Sequence, residues 1–285
     1  VKNIDATVIV PTFNSEKSIA QCLESIFSQE NVDFEVVVVD GVSKDKTLNV
    51  VQRFMGPNIV VISEEDSGIY DAINKGISIA KGNMIGVLGS DDVYAPGSLS
   101  VVKKHFNENV GIIGGLTEVD GEIRKDEPYG VAALISGIPF GHNAMFASRK
   151  TYEKVGLYDT NYRICADAQW VHRAIKAGVR CLKINEVFVY FGGYGVSSTN
   201  PEEIMDESCR VIQENFPFLS IDEARYLLYS YRKWGDSNDI YNMYCKYRKY
   251  SYFIQTLSEA FPHHKSSKRN VILEKIMQIL GAVQK

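Results

Sequence analysis

The sequence holds no apolar run long enough for a transmembrane helix. Its first residues, Val1-Lys2-Asn3-Ile4-Asp5, lack the hydrophobic region of a signal peptide. The five cysteines (Cys22, Cys165, Cys181, Cys209, Cys245) are odd in number and widely spaced, with no C-x-x-C. That pattern argues against a disulfide framework and a zinc site, and predicts reduced thiols in a cytoplasmic protein. There is no internal repeat and no low-complexity segment. No G-x-G-x-x-G follows the first apolar segment, and no G-x-x-x-x-G-K-[ST] occurs anywhere. Dinucleotide-fold and P-loop readings therefore lose their main support.

What is present is ordinary globular material: 45% hydrophobic and 23% charged residues in 285, enough for one large domain with an appendage or for two. Charge is unevenly spread. Residues 1–224 carry 20 Lys and Arg against 31 Asp and Glu, a net −11; residues 225–285 carry 11 against 4, a net +7. Half of the 16 tyrosines also lie in that last stretch. An acidic body with a basic, aromatic tail predicts a tail that meets something anionic.

Apolar runs at 6–10, 34–39, 58–62 and 84–88 read as buried strands, and helical patterns follow the first three. Four strands in alternation with helices predict an α/β fold with a parallel, doubly wound sheet. Right-handed crossovers put the loops after the strands on one edge. Those loops carry Pro11-Thr12-Phe13-Asn14, Asp40 and Ser90-Asp91-Asp92. Open α/β sheets bind ligands there. Two adjacent carboxylates beyond a buried strand suit a divalent cation on a diphosphate. Phe13 can stack on a base, and Asp40 can accept from a base edge. Each residue also has a plainer account: Phe13 as core, Asp40 as a turn carboxylate, Ser90 or an Asp as the cap of the helix after Gly97.

The stretches Val8–Asn14, Val36–Thr47, Asp66–Gly76 and Gly89–Asp92 together resemble family 2 glycosyltransferases, the inverting GT-A class, in order and spacing. The likeness is greatest to bacterial transferases of O-antigen, capsule and exopolysaccharide synthesis. It implies a GT-A fold, a nucleotide-sugar donor of the UDP type, and a divalent metal, Mn²⁺ or Mg²⁺. It implies that Pro11, Thr12, Phe13 and Asn14 line the nucleotide pocket and that Asp40 binds the uracil edge. Asp66 and Gly68 would lie against base and ribose, Asn74 and Lys75 would close the site, and Asp91 would approach the ribose or sugar. Asp92 would be the metal ligand of a DXD-like motif. Many relatives carry an Arg before the Asn; here it is Ile73, and Asp71 or Lys75 stands in its place or simply forms an i,i+4 pair.

After residue 100, 110–115 reads as a strand and 118–123 as a hairpin with Asp120-Gly121 at its tip. The apolar stretch 138–146 holds His142, either a core histidine or a residue facing acceptor or diphosphate. The resemblance makes Asp167 the catalytic base, where many relatives have Glu-Asp and this chain has Ala166-Asp167; a helix N-cap is its plainer role. A base is required because an acceptor hydroxyl is a poor nucleophile. Segments 179–184 and 187–191 read as two further strands, and Gly192–Ser198 as a candidate lid.

The expected domains are a GT-A body, 1–200, and a helical region, 201–285. The second holds Tyr241, Tyr244, Tyr247 and Tyr250 among cations, then a basic break at 263–269 and an apolar-faced helix at 272–283. Basic, aromatic helices predict contact with the cytoplasmic membrane surface and fit a lipid-linked saccharide acceptor. An acidic body without a recognition motif argues against nucleic acid. Two other functions fit such a chain: a non-catalytic scaffold of the same fold, and a sugar nucleotidyltransferase. The latter would want a Gly-rich, cationic loop after the first strand, and 11–14 has none.

Overall fold

The computed structural model describes residues 4–124, 130–136, 140–192, 200–233 and 237–261. In chain order the first part runs β1 (Ala6–Thr12), α1 (Ile19–Phe27), β2 (Phe34–Asp40), α2 (Thr47–Val51), β3 (Ile59–Ser63), α3 (Ile69–Ile79) and β4 (Met84–Val87). Then come β5 (Val93–Tyr94), α4 (Ser98–His105), β6 (Ile112–Val119), β7 (Glu122–Ile123), α5 (Ala133–Ser136) and β8 (Met145–Ser148). α6 (Arg149–Val155), α7 (Ala166–Lys176) and β9 (Cys181–Tyr190) precede four helices: α8 (Pro201–Asn215), α9 (Ile221–Lys233), α10 (Ser237–Tyr247) and α11 (Ser251–Ala260).

The strands form one sheet in the order β3-β2-β1-β4-β8-β6-β9-β5, with β7 paired to β6. β1, β2, β3 and β4 pair in parallel, as the alternating pattern predicts. The chain passes from β1 to β2 and β3 on one side and returns to β4 on the other, so a switch point lies between β1 and β4. Beyond β4 the sheet is mixed: β8 is antiparallel to both neighbours, while β6 and β9 run parallel.

The run of four valines in β2 is fully buried, as a strand covered on both faces must be. Val8, Val10, Val36 and Val38 share a core cluster with Ile19, Leu23 and Ile26 of α1. On α3, Gly76 approaches β1 so closely that a Cβ there would lie 2.6 Å from Ile9 Cγ2. Asp120 and Gly121 both adopt positive φ, the geometry of the predicted hairpin tip.

The later strands differ from expectation. Among the described residues of the apolar stretch 138–146, His142–Ala144 form a 3₁₀ turn and the strand begins at Met145. The two strands expected between 179 and 191 are one, β9, which bends through register shifts against β6 instead of turning. Ser18 rather than Asn14 or Ser15 caps α1, and Gly97 caps α4, so Ser90 and the two aspartates are not helix caps.

The chain divides into two compact units: Val1–Glu127 with Ile138–Ser208, and Pro128–Gly137 with Cys209–Lys285. In the second unit Tyr244 and Tyr247 are each 6% exposed and pack inward, so these two belong to a core, while Tyr241 and Tyr250 are half-buried. The Phe218 and Tyr250 rings stack there at 3.8 Å. Beyond Gly192, the loop expected as a lid lies outside the described residues, as do the basic break and the final apolar-faced helix. No described helix is long and apolar enough to cross a membrane.

Candidate active site

Three loops meet at the carboxyl ends of β1, β2 and β4. The β1–β4 ladder ends at Ile9–Val87, and Pro11, which cannot donate to a ladder, stands two residues beyond. The gap is bridged by side chains: the Ser15 and Ser90 hydroxyls lie 2.7 Å apart. Asn14, at φ +49°, ties the first loop to the second through Asn14 N–H to Ser43 Oγ and Lys44 N–H to Asn14 Oδ1, both 2.8 Å. Thr12 is buried, and its carbonyl accepts from Gly41 N–H at 2.9 Å. Phe13, just past β1, is 62% exposed and is therefore not core.

The second loop is strained. Val42, a β-branched residue, holds φ +62°, which costs about 1–3 kcal/mol and persists only where its surroundings fix it. Asp40 does much of that fixing. It is fully buried, with its carboxylate accepting from Ser43 N–H at 3.2–3.3 Å and from Ser63 Oγ at 2.7 Å. In this structure Asp40 is a turn carboxylate. Gly41 is needed beside it, because a Cβ would sit 2.6 Å from Asp66 Oδ2 and 3.5 Å from the Phe13 ring. Phe13, Gly41 and Asp66 thus lie against one another.

Asp66 also accepts from Gly68 N–H at 3.0 Å, and Gly68, at φ +132°, opens α3. Lys75 donates to the Glu65 carbonyl at 2.6 Å and lies 3.2 Å from Glu64 and 3.5 Å from Asp71, so it anchors the Asp66 loop and forms the i,i+4 pair. Asn74 is committed elsewhere: its amide exchanges two hydrogen bonds with the Tyr158 backbone, at 2.9 and 3.0 Å. Ile73 is fully buried.

Asp92 is 3% exposed and Asp91 half-buried. One oxygen of Asp92 accepts from Gly192 N–H and the other from Asn143 Nδ2, each at 3.0 Å. Burial, with the Asp91 charge adding to it, pushes the Asp92 carboxyl up to about 6, against the pull of those donors. No cationic side chain pairs with Asp92 among the described residues. A buried carboxylate without a countercharge suits a bound cation. Among the described residues no three His, Cys, Asp or Glu side chains cluster as a metal site. The donor set therefore fits a cation shared with a diphosphate, not one caged by protein.

Asn143 follows His142 on the same 3₁₀ turn. His142 Nε2 lies 2.9 Å from the Tyr158 hydroxyl, which lies 3.1 Å from that of Tyr152. Burial lowers the His142 pKa, with Asp167 opposing, so the ring is neutral at pH 7. Tyr70 packs on both, its ring centroid 5.6 Å from Tyr158 and 6.3 Å from His142. Its hydroxyl is 2.5 Å from the Ile164 carbonyl and 3.1 Å from Asp167 Oδ1. Burial and the Asp167 charge keep that phenol protonated. Asp167 is half-buried in the first turn of α7; the N-cap is Cys165, so the cap role falls away.

Asp92 and Asp167 are thus joined through Asn143, His142 and Tyr70. The Asn143, Tyr70, Tyr158 and Gly192 contributions were not legible as site residues. Tyr70 sits inside the Asp66–Gly76 motif and Asn143 beside His142, which is the signal that points to them.

Residues 7–175 match the family model for glycosyl transferase family 2. The chain belongs to this family. A family relative, a PGL/p-HBAD biosynthesis glycosyltransferase of Mycobacterium tuberculosis, is 31% identical over 168 residues, 56% of this chain and 66% of that protein. The chain therefore spans just under two thirds of that relative. A Pasteurella multocida chondroitin synthase is 34% identical over 102 residues, 35% of this chain and 11% of that protein. In fold, the family 2 chain is similar to S. aureus TarS 1–349 in complex with UDP-GlcNAc (TM-score 0.64, 19% identity, 90% of this chain and 81% of that one). It is similarly close to the mannosyltransferase PcManGT from Pyrobaculum calidifontis in complex with GDP-Man and Mn²⁺ (TM-score 0.63, 17% identity, 98% and 81%). These are GT-A structures, and the fold expected from the sequence is the fold observed.

Proposed function

We propose that this chain is an inverting glycosyltransferase that moves a sugar from a nucleotide-diphosphate sugar to a saccharide hydroxyl. The observation that carries it is the joining of Asp92 and Asp167 through Asn143, His142 and Tyr70, with Phe13 exposed at the same sheet edge. Phe13 stacks on the base, and Asp66 borders the ribose. Asp40 holds the loop that shapes the base pocket; a base edge reached through that loop is the remaining part of its expected role. Asp91 faces the ribose or sugar. Asp92 would hold a divalent cation, Mn²⁺ or Mg²⁺, which supplies charge stabilisation for the departing diphosphate. Asp167 takes the proton of the acceptor hydroxyl as it attacks the anomeric carbon, and a single displacement inverts that centre. His142, neutral and tied to Tyr158, positions the acceptor side without adding charge.

We take the donor to be a UDP-sugar. The acceptor is a lipid-linked saccharide in surface polysaccharide synthesis, met at the cytoplasmic face of the membrane. The net +7 of residues 225–285 supports that last part, though Tyr244 and Tyr247 do not contribute to it. Liposomes containing anionic lipid should pull down the full chain and not one truncated after residue 224; equal recovery rejects membrane contact.

Calorimetric titration tests the site. UDP and GDP should be titrated with and without Mn²⁺ into wild type, Asp92→Ala and Phe13→Ala. Cation-dependent UDP binding should be lost in Asp92→Ala and weakened about ten- to a hundredfold in Phe13→Ala, the range of one lost base–aromatic stack. GDP bound in preference to UDP corrects the donor. Absence of binding by either nucleotide overturns the enzyme reading in favour of a scaffold.

A further inference from the structure

The segment that leads into Asp167 is held by Glu207, far along the chain. Residues 163–165 lead into α7, and three successive amides there face one carboxylate. Glu207, in the first half of α8, accepts from Arg163 N–H at 2.7 Å, Ile164 N–H at 2.9 Å and Cys165 N–H at 2.8 Å. It is 6% exposed. Charge-assisted bonds of this length are among the stronger ones a protein makes. Cys165, at the N-cap, makes no side-chain capping bond of its own, so Glu207 serves that helix end from outside. The same segment is docked again by Cys165 Sγ, 3.6 Å from Ser208 Oγ and 3.7 Å from the Ile204 carbonyl.

The Ile164 residue is gripped at both ends. Its N–H goes to Glu207, and its carbonyl accepts from the Tyr70 hydroxyl at 2.5 Å. With the phenolic proton directed at Ile164, the shorter contact, the Tyr70 oxygen presents a lone pair 3.1 Å from Asp167 Oδ1. The ionised carboxylate gains little there. The protonated carboxyl, formed once the acceptor hydroxyl has lost its proton, can donate to that oxygen. Each proton stays accounted for: the acceptor's moves to Asp167, and Tyr70 keeps its own.

We propose that Glu207 is a positioning residue for the base: by fixing the amides of 163–165 it aims the Ile164 carbonyl, orients the Tyr70 hydroxyl, and so readies Asp167 to receive a proton. The inference rests on Asp167 being the base. Among the described residues the titratable groups that face Asp167 are Tyr70 from α3, His142 from the turn before β8 and Tyr158 from the loop after α6, and its Oδ1 also accepts from Ala168 N–H at 2.8 Å.

The test is a kinetic cycle on the full chain with the donor sugar identified by nucleotide screening. Glu207→Gln keeps the volume and puts an N–H₂ against amide donors. It should lower kcat at least tenfold while donor KM, UDP affinity and binding stoichiometry stay within twofold of wild type. Tyr70→Phe, which leaves the 163–165 amides untouched, should do the same. In an Asp167→Asn background, Glu207→Gln should lower the residual kcat no further. An unchanged kcat in Glu207→Gln overturns the inference, as does a loss that is undiminished in the Asp167→Asn background. Loss of UDP binding together with kcat would make Glu207 a general structural residue and also overturns it. If Asp167→Asn alone leaves kcat intact, the base assignment itself fails, a result distinct from the others.

Discussion

Asn143 donates to Asp92 across 51 residues of sequence, and its neighbour His142 bonds Tyr158 on the other side of the same 3₁₀ turn. One turn therefore lies between Asp92 and the Tyr158–Tyr70 pair beside Asp167, the residues proposed to hold the cation and to act as base. Asn143 is itself oriented by Thr117, whose hydroxyl lies 3.4 Å from Asn143 Oδ1. Replacing Asn143 by Ala removes a charge-assisted bond to a buried carboxylate, about 1.5–3 kcal/mol. The expected outcome is cation-dependent UDP binding at least tenfold weaker at pH 7, recovering in part at pH 8.5 as the less acidic Asp92 ionises. Titration at both pH values decides it; undiminished binding at pH 7 would remove Asn143 from the site.

Asp92 gives the site its own pH response. Its carboxyl is pushed up to about 6 by burial, above the ordinary 3.8. A raised carboxyl pKa means that the folded state carries an unfavourable charge at neutral pH. That burden is relieved as pH falls through 6 and is absent below the unfolded value. A cation held by Asp92, as proposed, would need the ionised form, so proton and cation would compete. Mn²⁺-dependent UDP affinity should be flat above about pH 7 and fall about tenfold per unit well below 6. Mn²⁺ with UDP should raise the melting temperature at pH 7.5 and barely at pH 5. Equal stabilisation at both pH values would move the cation off Asp92.

Gly192 tests the geometry from the opposite wall. A Cβ there would stand 2.2 Å from the Asp91 carbonyl oxygen, a backbone atom that cannot step aside cheaply. Its N–H is also one of the two donors to Asp92. Gly192→Ala should therefore cost more than a hundredfold in kcat/KM, while thermal unfolding shifts by only the few degrees expected of about 1–3 kcal/mol. Wild-type turnover in this variant would mean that Gly192 does not lie against Asp91 in the working enzyme.

The parallel half of the sheet was legible because its signals are local: each of β1 to β4 is a short β-branched run closed by a polar turn. That Phe13 and Asp92 stand at one edge of the sheet followed from topology, since all the loops of such a sheet share one edge. Asp40 shows the limit. Its type and place suit a base edge, yet Ser63, 23 residues away, closes on it, and that contact has no local signature. Asn74 is similar, its amide held by Tyr158, 84 residues on. The burial of two tail tyrosines was not legible because a three-residue repeat beside cations looks interfacial, whereas Phe218, 29 residues away, joins Phe253 in drawing Tyr247 inward. Glu207 could not be read at all: a carboxylate that caps another segment's amides looks like any surface glutamate.

A second capping carboxylate governs the helical unit, and here the sequence does carry the signal, Ser220-x-x-Glu223. Ser220 N–H donates to Glu223 Oε2 at 2.9 Å, and Glu223 N–H donates to Ser220 Oγ at 3.2 Å, a capping box that starts α9. The same carboxylate accepts from Lys246 Nζ and the Tyr247 hydroxyl, each at 2.7 Å, and so ties α9 to α10. Burial raises its pKa, but Lys246, the Ser220 amide and Tyr247 outweigh that and bring it down to about 2. With the folded pKa depressed, the stabilisation is present above the unfolded value near 4.5 and is lost as pH falls from there toward 2. Glu223→Gln keeps the shape and removes the charge. It should lower the melting temperature of the chain by a few degrees at pH 7, in line with about 1 kcal/mol for a capping interaction. The gap to wild type should narrow steadily from pH 4.5 toward 2. A gap that does not narrow over that range would mean that packing, not the carboxylate charge, accounts for the difference.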